Sequence, residues 1–338
     1  MSNRERRTIV VTGASGFIGS AVARRLLRDG HQVRGIGRSA TPLTFYPAAA
    51  SGQMKWHRGD LVAPHGLTTA FAGADFVIHA AALVDSAASD AAIIAANVTA
   101  TRHVCEMALA AGVERLVHIG TSDVFGLPVV GETITERAPY RDWNEAYPDT
   151  KIAACQLVHT FRARGLASTI IHPGWTYGPG DGAFFPKLLD QVRLGFMPDW
   201  SPPTARINLV YIDDLVDALC SALVPAPSGA AEFLILDPAS GVSLADICRS
   251  IARRAGRHLV VMPMRYGMIR ILAQAAQWAA RAGIVKVPLL TTTDAKSFGH
   301  DFRFSVEHAR YQLGWVPTTP TAIGLAAAID ALLPATLR

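Results

Sequence analysis

The first half of the chain alternates short apolar runs with longer stretches whose apolar residues recur at helical spacing. "RTIVVTG" (7–13) is an unbroken apolar run ending in a glycine, and "GSAVARRLLRDG" (19–30) is a one-sided helical pattern closed by Gly30. "HQVRGIGR", "MKWHRGDL" and "ADFVIHAAA" read as a second, third and fourth strand. One helix is expected across "AAIIAANVTATRHVCEMALAAG", a fifth strand in "ERLVHIGTS", then a helix carrying "AYPDTKIAA" and a strand in "ASTIIHPG". Strands that are apolar along their whole length are buried on both faces. A parallel sheet covered by helices on both sides follows, and right-handed crossovers make it a doubly wound α/β (Rossmann) fold.

After Gly180 the alternation becomes irregular. "NLVYIDDLVDALCSAL" has the pattern of a strand and helix returning to the main domain. We therefore expect a dinucleotide-binding domain over 1–180, rejoined by 207–236. A smaller interleaved substrate lobe is expected mainly from 181–206 and 237–338. No internal repeat or low-complexity linker separates the two.

Composition narrows the class. Half of the 338 residues are hydrophobic and 17% are charged, enough for a large buried core. Cys105, Cys155, Cys220 and Cys248 are far apart, each in a helical pattern and none in a Cys-x-x-Cys pair. They are expected to be reduced packing residues of a cytoplasmic protein, with no metal site. The basic start is followed by an apolar run too short for a signal segment or a membrane span. The net charge of +5 is spread along the chain, without the basic, aromatic-studded face that nucleic-acid binding needs. One stretch is unusual: 247–293 holds eight Arg or Lys and no Asp or Glu.

"VVTGASGFIGSAV" places Gly13, Gly16 and Gly19 where the first strand turns into the first helix, with Ser15, Phe17 and Ile18 between them. Glycines there let backbone approach a pyrophosphate whose charge sits at the helix N-terminus. The second strand ends "GIGRSA", with Arg38 and no acid. An acid would bond the ribose 2′-hydroxyl of NAD, so Arg38 favours the 2′-phosphate of NADP over NAD. Asp60, followed by Leu61, ends the third strand and is a candidate for the adenine side, although an Asp there is also a common helix cap.

Tyr147 and Lys151 stand four positions apart, the spacing of neighbours on one helical face. From 7 Tyr and 5 Lys, chance yields about 0.1 such pairs, so this spacing alone does not separate a proton-transfer site from an exposed helix pair. Pro148 fits only in a first helical turn.

Taken together, TGASGFIG, "HAAA" (79–82), Tyr147-x-x-x-Lys151, "HPGWTYGPGD", "LVYIDDLVDAL" and the late "SVEHARYQLGWVP" resemble the extended short-chain dehydrogenase/reductases, the NAD-dependent epimerase/dehydratase superfamily, over nearly the whole chain. The resemblance implies that Tyr147 is the acid/base at the substrate oxygen, and that Lys151 orients the cofactor and tunes Tyr147. Thr121, or Ser122 as the second choice, would hydrogen-bond the oxygen. It further implies cofactor contacts at Ala80, Ala81, Ala82, Asn97, Pro173 and Gly174, with Asn97 mainly structural. His172 departs from the family's usual arginine before Pro173 and is read as a strand-end residue, not an acid. A homodimer is also an expectation of the resemblance.

For the substrate, "GAFFPKLLDQVRLGFMPDW" and Trp175 offer either an apolar pocket or a lobe core. The segment from Met262 to Phe298 resembles the 3β-hydroxysteroid/sterol dehydrogenase and dihydroflavonol-reductase-like branch. The expected function is thus an NAD(P)-dependent oxidoreductase interconverting a secondary alcohol and a ketone on a small hydrophobic substrate. A sugar-nucleotide epimerase or dehydratase with tightly bound NAD is the alternative, and a non-catalytic nucleotide sensor would have no need of the Tyr and Lys. Apolar residues at helical spacing (Met268, Ile271, Leu272, Ala275, Ala279) are expected to pack on the lobe, with peripheral membrane contact as the second reading.

Overall fold

The computed structural model describes residues 6–333 apart from 41, 43, 44, 85–87, 227, 228, 230 and 285–289. Lys286 and part of the Pro-Leu-Leu-Thr run therefore lie outside the described residues. The strands are β1 (Thr8–Thr12), β2 (Gln32–Gly37), β3 (Met54–Arg58), β4 (Phe76–His79), β5 (Arg115–Ile119), β6 (Ser168–Pro173), β7 (Trp175–Tyr177), β8 (Phe196–Asp199), β9 (Leu209–Tyr211), β10 (Glu232–Ile235) and β11 (Val260–Pro263). The helices are α1 (Phe17–Arg28), α2 (Tyr46–Ala50), α3 (Thr68–Phe71), α4 (Asp90–Ile94), α5 (Ala100–Ala110), α6 (Ala146–Ala163), α7 (Phe184–Arg193), α8 (Ile212–Ser221), α9 (Leu244–Arg254), α10 (Tyr266–Arg281), α11 (Thr292–Phe298), α12 (Glu307–Leu313) and α13 (Thr321–Leu332).

Seven parallel strands form the main sheet in the order β10-β6-β5-β4-β1-β2-β3. The apolar runs explain it: Ile9, Val10, Val11, Val77, Ile78, Leu116, Val117, Ile170 and Ile171 are all fully buried, as a sheet sandwiched by helices requires. The strand order reverses between β1 and β4, so a crevice opens outside their carboxyl ends.

Three local details differ from the sequence reading. The helix expected across residues 91–112 is interrupted by a π-helical turn, Ala95–Thr99, between α4 and α5. Thr101 donates its hydroxyl to the Asn97 carbonyl (2.6 Å), one of the bonds that draws this turn open. Next, the strand in "NLVYIDD" does not join the main sheet: β9 pairs with β7. The returning strand is β10, which completes the sheet beside β6, while α8 buries Leu215, Val216 and Leu219 in the main core. Finally, within the stretch 237–338 expected for the lobe, Val306, Ala309 and Trp315 are buried in the main core.

A second hydrophobic cluster gathers α7, α9, α10, α11 and α13. Phe184, Phe185, Met197 and Trp200 belong to it and are buried, so these aromatics make the lobe core and not a pocket. Reciprocal caps start two of its helices, Ser243 with Asp246 at α9 and Thr291 with Asp294 at α11. Among the described residues no helix is long and apolar enough to cross a membrane, and no His/Cys/Asp/Glu group could hold a metal. Cys105, Cys155 and Cys248 are buried thiols outside any disulfide.

Candidate active site

The β1–α1 turn is built to bring backbone close to a ligand. Gly13 takes φ +64°, and a Cβ there would lie 2.8 Å from the Ala81 backbone. A Cβ on Gly19 would sit 2.1 Å from the Gly13 carbonyl oxygen, so the helix can approach the turn only with glycine there. Gly16 caps α1 without a side-chain bond, and the first turn carries no acid. The free N–H groups and positive dipole end suit a pyrophosphate. Phe17 and Ile18 begin α1, with Phe17 beside Gly180.

A directed chain of hydrogen bonds braces this turn from below. Ala81 N–H donates to Thr12 Oγ1 (3.2 Å), and Thr12 Oγ1 meets His79 Nδ1 at 2.7 Å. His79 Nε2 meets Thr101 Oγ1 at 2.9 Å, and Thr101 spends its own proton on Asn97 O. Since Thr101 must accept, His79 carries its proton on Nε2 and accepts from Thr12 on Nδ1. Burial, then the charge of Lys151, lowers His79 to about 3, so the imidazole stays neutral and the chain stays fixed. Asn97 is fully used: Oδ1 accepts from Leu83 N (2.7 Å), while Nδ2 donates to Leu83 O and Thr150 Oγ1 (both 3.1 Å). It ties the segment after β4 to α6. Ala80 and Ala82 flank Ala81 at the same strand end.

At the far end of the crevice, Arg38 is exposed just past β2. Gly37 leaves room for the Trp56 ring, which a Cβ would meet at 2.7 Å, and Ser15 Oγ lies on the same side. Trp56 Nε1 donates to Ser39 O, and Arg58 Nε donates to Arg38 O, so a second arginine stands beside the first. Neither Trp56 nor Arg58 was singled out from the sequence. Their signal was the strand register Gly37↔Arg58, which only pairing reveals. Asp60 Oδ1 accepts from Val62 N (2.9 Å), Leu61 is buried, and the Leu61 carbonyl meets His103 Nδ1 at 2.8 Å.

The start of α6 carries the opposite wall. Ala146, Tyr147 and Pro148 are its first three residues, where proline costs no helical bond. Thr121 caps a 3-10 turn, Ser122–Phe125, by accepting from Asp123 N. The Thr121 hydroxyl lies near enough to the Tyr147 phenol to favour its ionised form. Burial first, and the nearby Asp123 carboxylate second, raise Tyr147 above its ordinary value, with Thr121 opposing. Lys151 is 3% exposed and lowered by burial to about 8, and its ammonium donates to Ile119 O at 2.5 Å. The lysine charge is thus aimed at the end of β5, and burial, not Lys151, dominates the tyrosine. Asp123 is a residue the sequence reading missed: burial raises it to about 6, beside Tyr147 and Thr121.

Below this pair, Glu232 is surrounded by donors. Tyr140 donates at 2.7 Å, His159 lies at 2.6 Å and His172 at 3.1 Å. Burial pushes the Glu232 carboxyl up, but these partners outweigh it and hold it well below the usual range. His172 is therefore a buried structural residue of β6, as expected. Beyond it, Pro173 and Gly174 lead into β7, and a Cβ on Gly174 would strike Asn208 O at 2.2 Å.

Ser122 opens onto a small cavity of about 30 Å³ between the two clusters, where Trp175, Phe298 and Phe302 share the wall with Arg206, Asn208 and His300. Trp175 lies 4.7 Å from Phe184 and 5.1 Å from Phe298. A cleft of about 510 Å³ continues outward, lined by Asn144, Glu145, Tyr266, Arg270, Gln274 and Lys296 among others.

A glycine cradle and a Tyr–Lys helix facing each other across a Rossmann crevice define a nicotinamide-dependent enzyme. Residues 9–232 match the model of the NAD dependent epimerase/dehydratase family, and the chain belongs to that family. It is an NAD-dependent oxidoreductase of the extended short-chain type. A 2-alkyl-3-oxoalkanoate reductase of Stenotrophomonas maltophilia is 29% identical, covering 94% of this chain and 97% of that one. A 3-beta-hydroxysteroid dehydrogenase of Mycolicibacterium neoaurum is 24% identical over 94% of this chain and 89% of its own. Among solved structures, MoeE5 in complex with UDP-glucose and NAD superposes with a TM-score of 0.74 at 25% identity, covering 96% of this chain and 98% of that one.

Proposed function

We propose that the chain interconverts a secondary alcohol and a ketone on a hydrophobic molecule of sterol, terpenoid or polyketide type. The observation that carries this reading is Tyr147 and buried Lys151 at the start of α6 near Thr121, with Ser122 on a cavity whose wall includes Trp175, Phe298 and Phe302 beside Arg206 and His300. The reductase and dehydrogenase relatives support it by name. The residues fit a dinucleotide: Gly13, Ser15, Gly16 and Gly19 for the pyrophosphate, Asp60 and Leu61 for the adenine side, and Ala80–Ala82 with Pro173 and Gly174 for the nicotinamide half. Arg38, with Arg58 behind it, favours NADP.

A nicotinamide held by these residues would supply the hydride chemistry at the substrate carbon. Thr121 and Tyr147 hold the substrate oxygen between them. Because burial and Asp123 keep the phenol protonated, Tyr147 donates that proton to the oxygen in reduction and takes it back in oxidation. Lys151, its ammonium held on Ile119 O, would take the ribose side of the cofactor. Ser122 lines the cavity as the less central hydroxyl.

Tyr147→Phe should lower turnover by about a thousandfold or more with cofactor affinity nearly intact. Undiminished turnover would discard the assignment. Thermal shifts with each coenzyme test the Arg38 reading, which fails if NAD stabilises the protein more than NADP does. A sugar-nucleotide epimerase or dehydratase is the second reading, favoured by the polar cleft mouth at Asn144, Arg270, Gln274 and Lys296 and by the UDP-sugar complex of MoeE5. Purified protein that carries NAD and consumes no added coenzyme would select it.

A further inference from the structure

Helix α10 has three faces with three different fates. Ile269 and Ala273 are buried in the lobe core. Tyr266, Arg270 and Gln274 line the mouth of the cleft. The remaining face carries Met268, Ile271, Leu272, Ala275 and Trp278, which recur at i, i+3, i+4, i+7 and i+10 as one stripe. It lies in solvent: Ile271 and Trp278 are each 68% exposed, Met268 53% and Leu272 50%. A lobe helix ordinarily puts charged residues there. On β11, the strand that precedes α10, Val260 and Met262 are also exposed, and Val260 pairs with exposed Phe196 of β8.

The segment that carries this helix is basic, although Asp199 closes β8 beside β11. Residues 247–293 contain no acid. At its start the run borrows acids from outside: Arg249 pairs with Asp246 and Arg254 with Asp330. Arg257, Arg265 and Arg270 have no acidic partner within ion-pair distance among the described residues, and Arg265 caps α10. A second copy of the chain docked on this face would bring these arginines against their own images. An anionic lipid surface supplies the opposite charge and an apolar layer for the stripe.

We propose that the outward face of α10 rests on an anionic lipid bilayer. The cleft mouth lies on the adjacent face of the same helix, so a lipophilic molecule leaving the bilayer meets Tyr266 and Gln274 on its way in.

The experiment is flotation of the full chain with vesicles of phosphatidylcholine alone and with about one third phosphatidylserine. Binding to the anionic vesicles, weakened by salt, is expected. The paired substitution Ile271→Glu and Leu272→Glu should cut the bound fraction about tenfold, with melting temperature and coenzyme binding unchanged. Absence of binding to anionic vesicles overturns the proposal, and so does binding that the paired substitution leaves intact. Equal binding to neutral vesicles overturns the part played by the arginines. A wild-type dimer that the substitution converts to monomer, without vesicle binding, would show that a second copy covers the face.

Discussion

Helices α6 and α10 are of similar length, 18 and 16 residues, and they place their chemistry in opposite directions. Along α6, Tyr147, Lys151, Cys155 and His159 follow at four-residue steps, and the first three turn polar groups into the protein. Along α10 the apolar residues face out. Burying Lys151 costs stability, and so does exposing Trp278. Neither placement serves the fold, so each marks a place where the protein does something else. For α6 the proposed role is proton transfer beside the cofactor crevice, and for α10 it is contact with a surface outside the molecule.

The comparison can be broken by moving charge on either helix. The largest stability effect is expected at Glu232, which holds the buried end of the α6 stripe: Glu232→Ala should cost about 3–5 kcal/mol in chemical denaturation, because Tyr140, His159 and His172 lose their shared acceptor. A loss below about 1 kcal/mol would mean that this cluster is not structural. Next comes Lys151→Met. The folded pKa of about 8 lies below the ordinary 10.5, so the buried ammonium destabilises the fold most below pH 8, and the cost vanishes as pH rises past 10.5. The variant should therefore be inactive yet more stable at pH 7 by up to about 3 kcal/mol, with the gain gone near pH 11. Denaturation curves at the two pH values check the sign. The smallest effect belongs to α10, where Ile271→Glu and Leu272→Glu each should move stability by no more than about 0.5 kcal/mol, since these side chains lose no buried contact.

Much of the cofactor half was legible along the chain because its signals are local. Gly13, Gly16 and Gly19 act within one turn, the apolar strands announce a doubly covered sheet, and Tyr147 and Lys151 meet through helical spacing alone. The lobe was less legible. Phe184, Phe185 and Trp200 suit a pocket wall and a core equally by composition, and helix packing made them core while Phe298, Phe302 and Phe304, far downstream, came to wall the cavity. Asp123 escaped notice because an acid two residues after a threonine is unremarkable until burial raises it beside a phenol.

The sequence by itself determined the fold class, the glycine turn after β1 and the placing of Tyr147 and Lys151 on one helical face, since each depends on short-range backbone geometry. Only the tertiary structure decided where Lys151 sends its charge, which aromatics border the substrate space, that Arg58 stands behind Arg38, and which face of α10 meets solvent. Those are outcomes of strand register and helix packing between residues distant along the chain, and no local pattern encodes them.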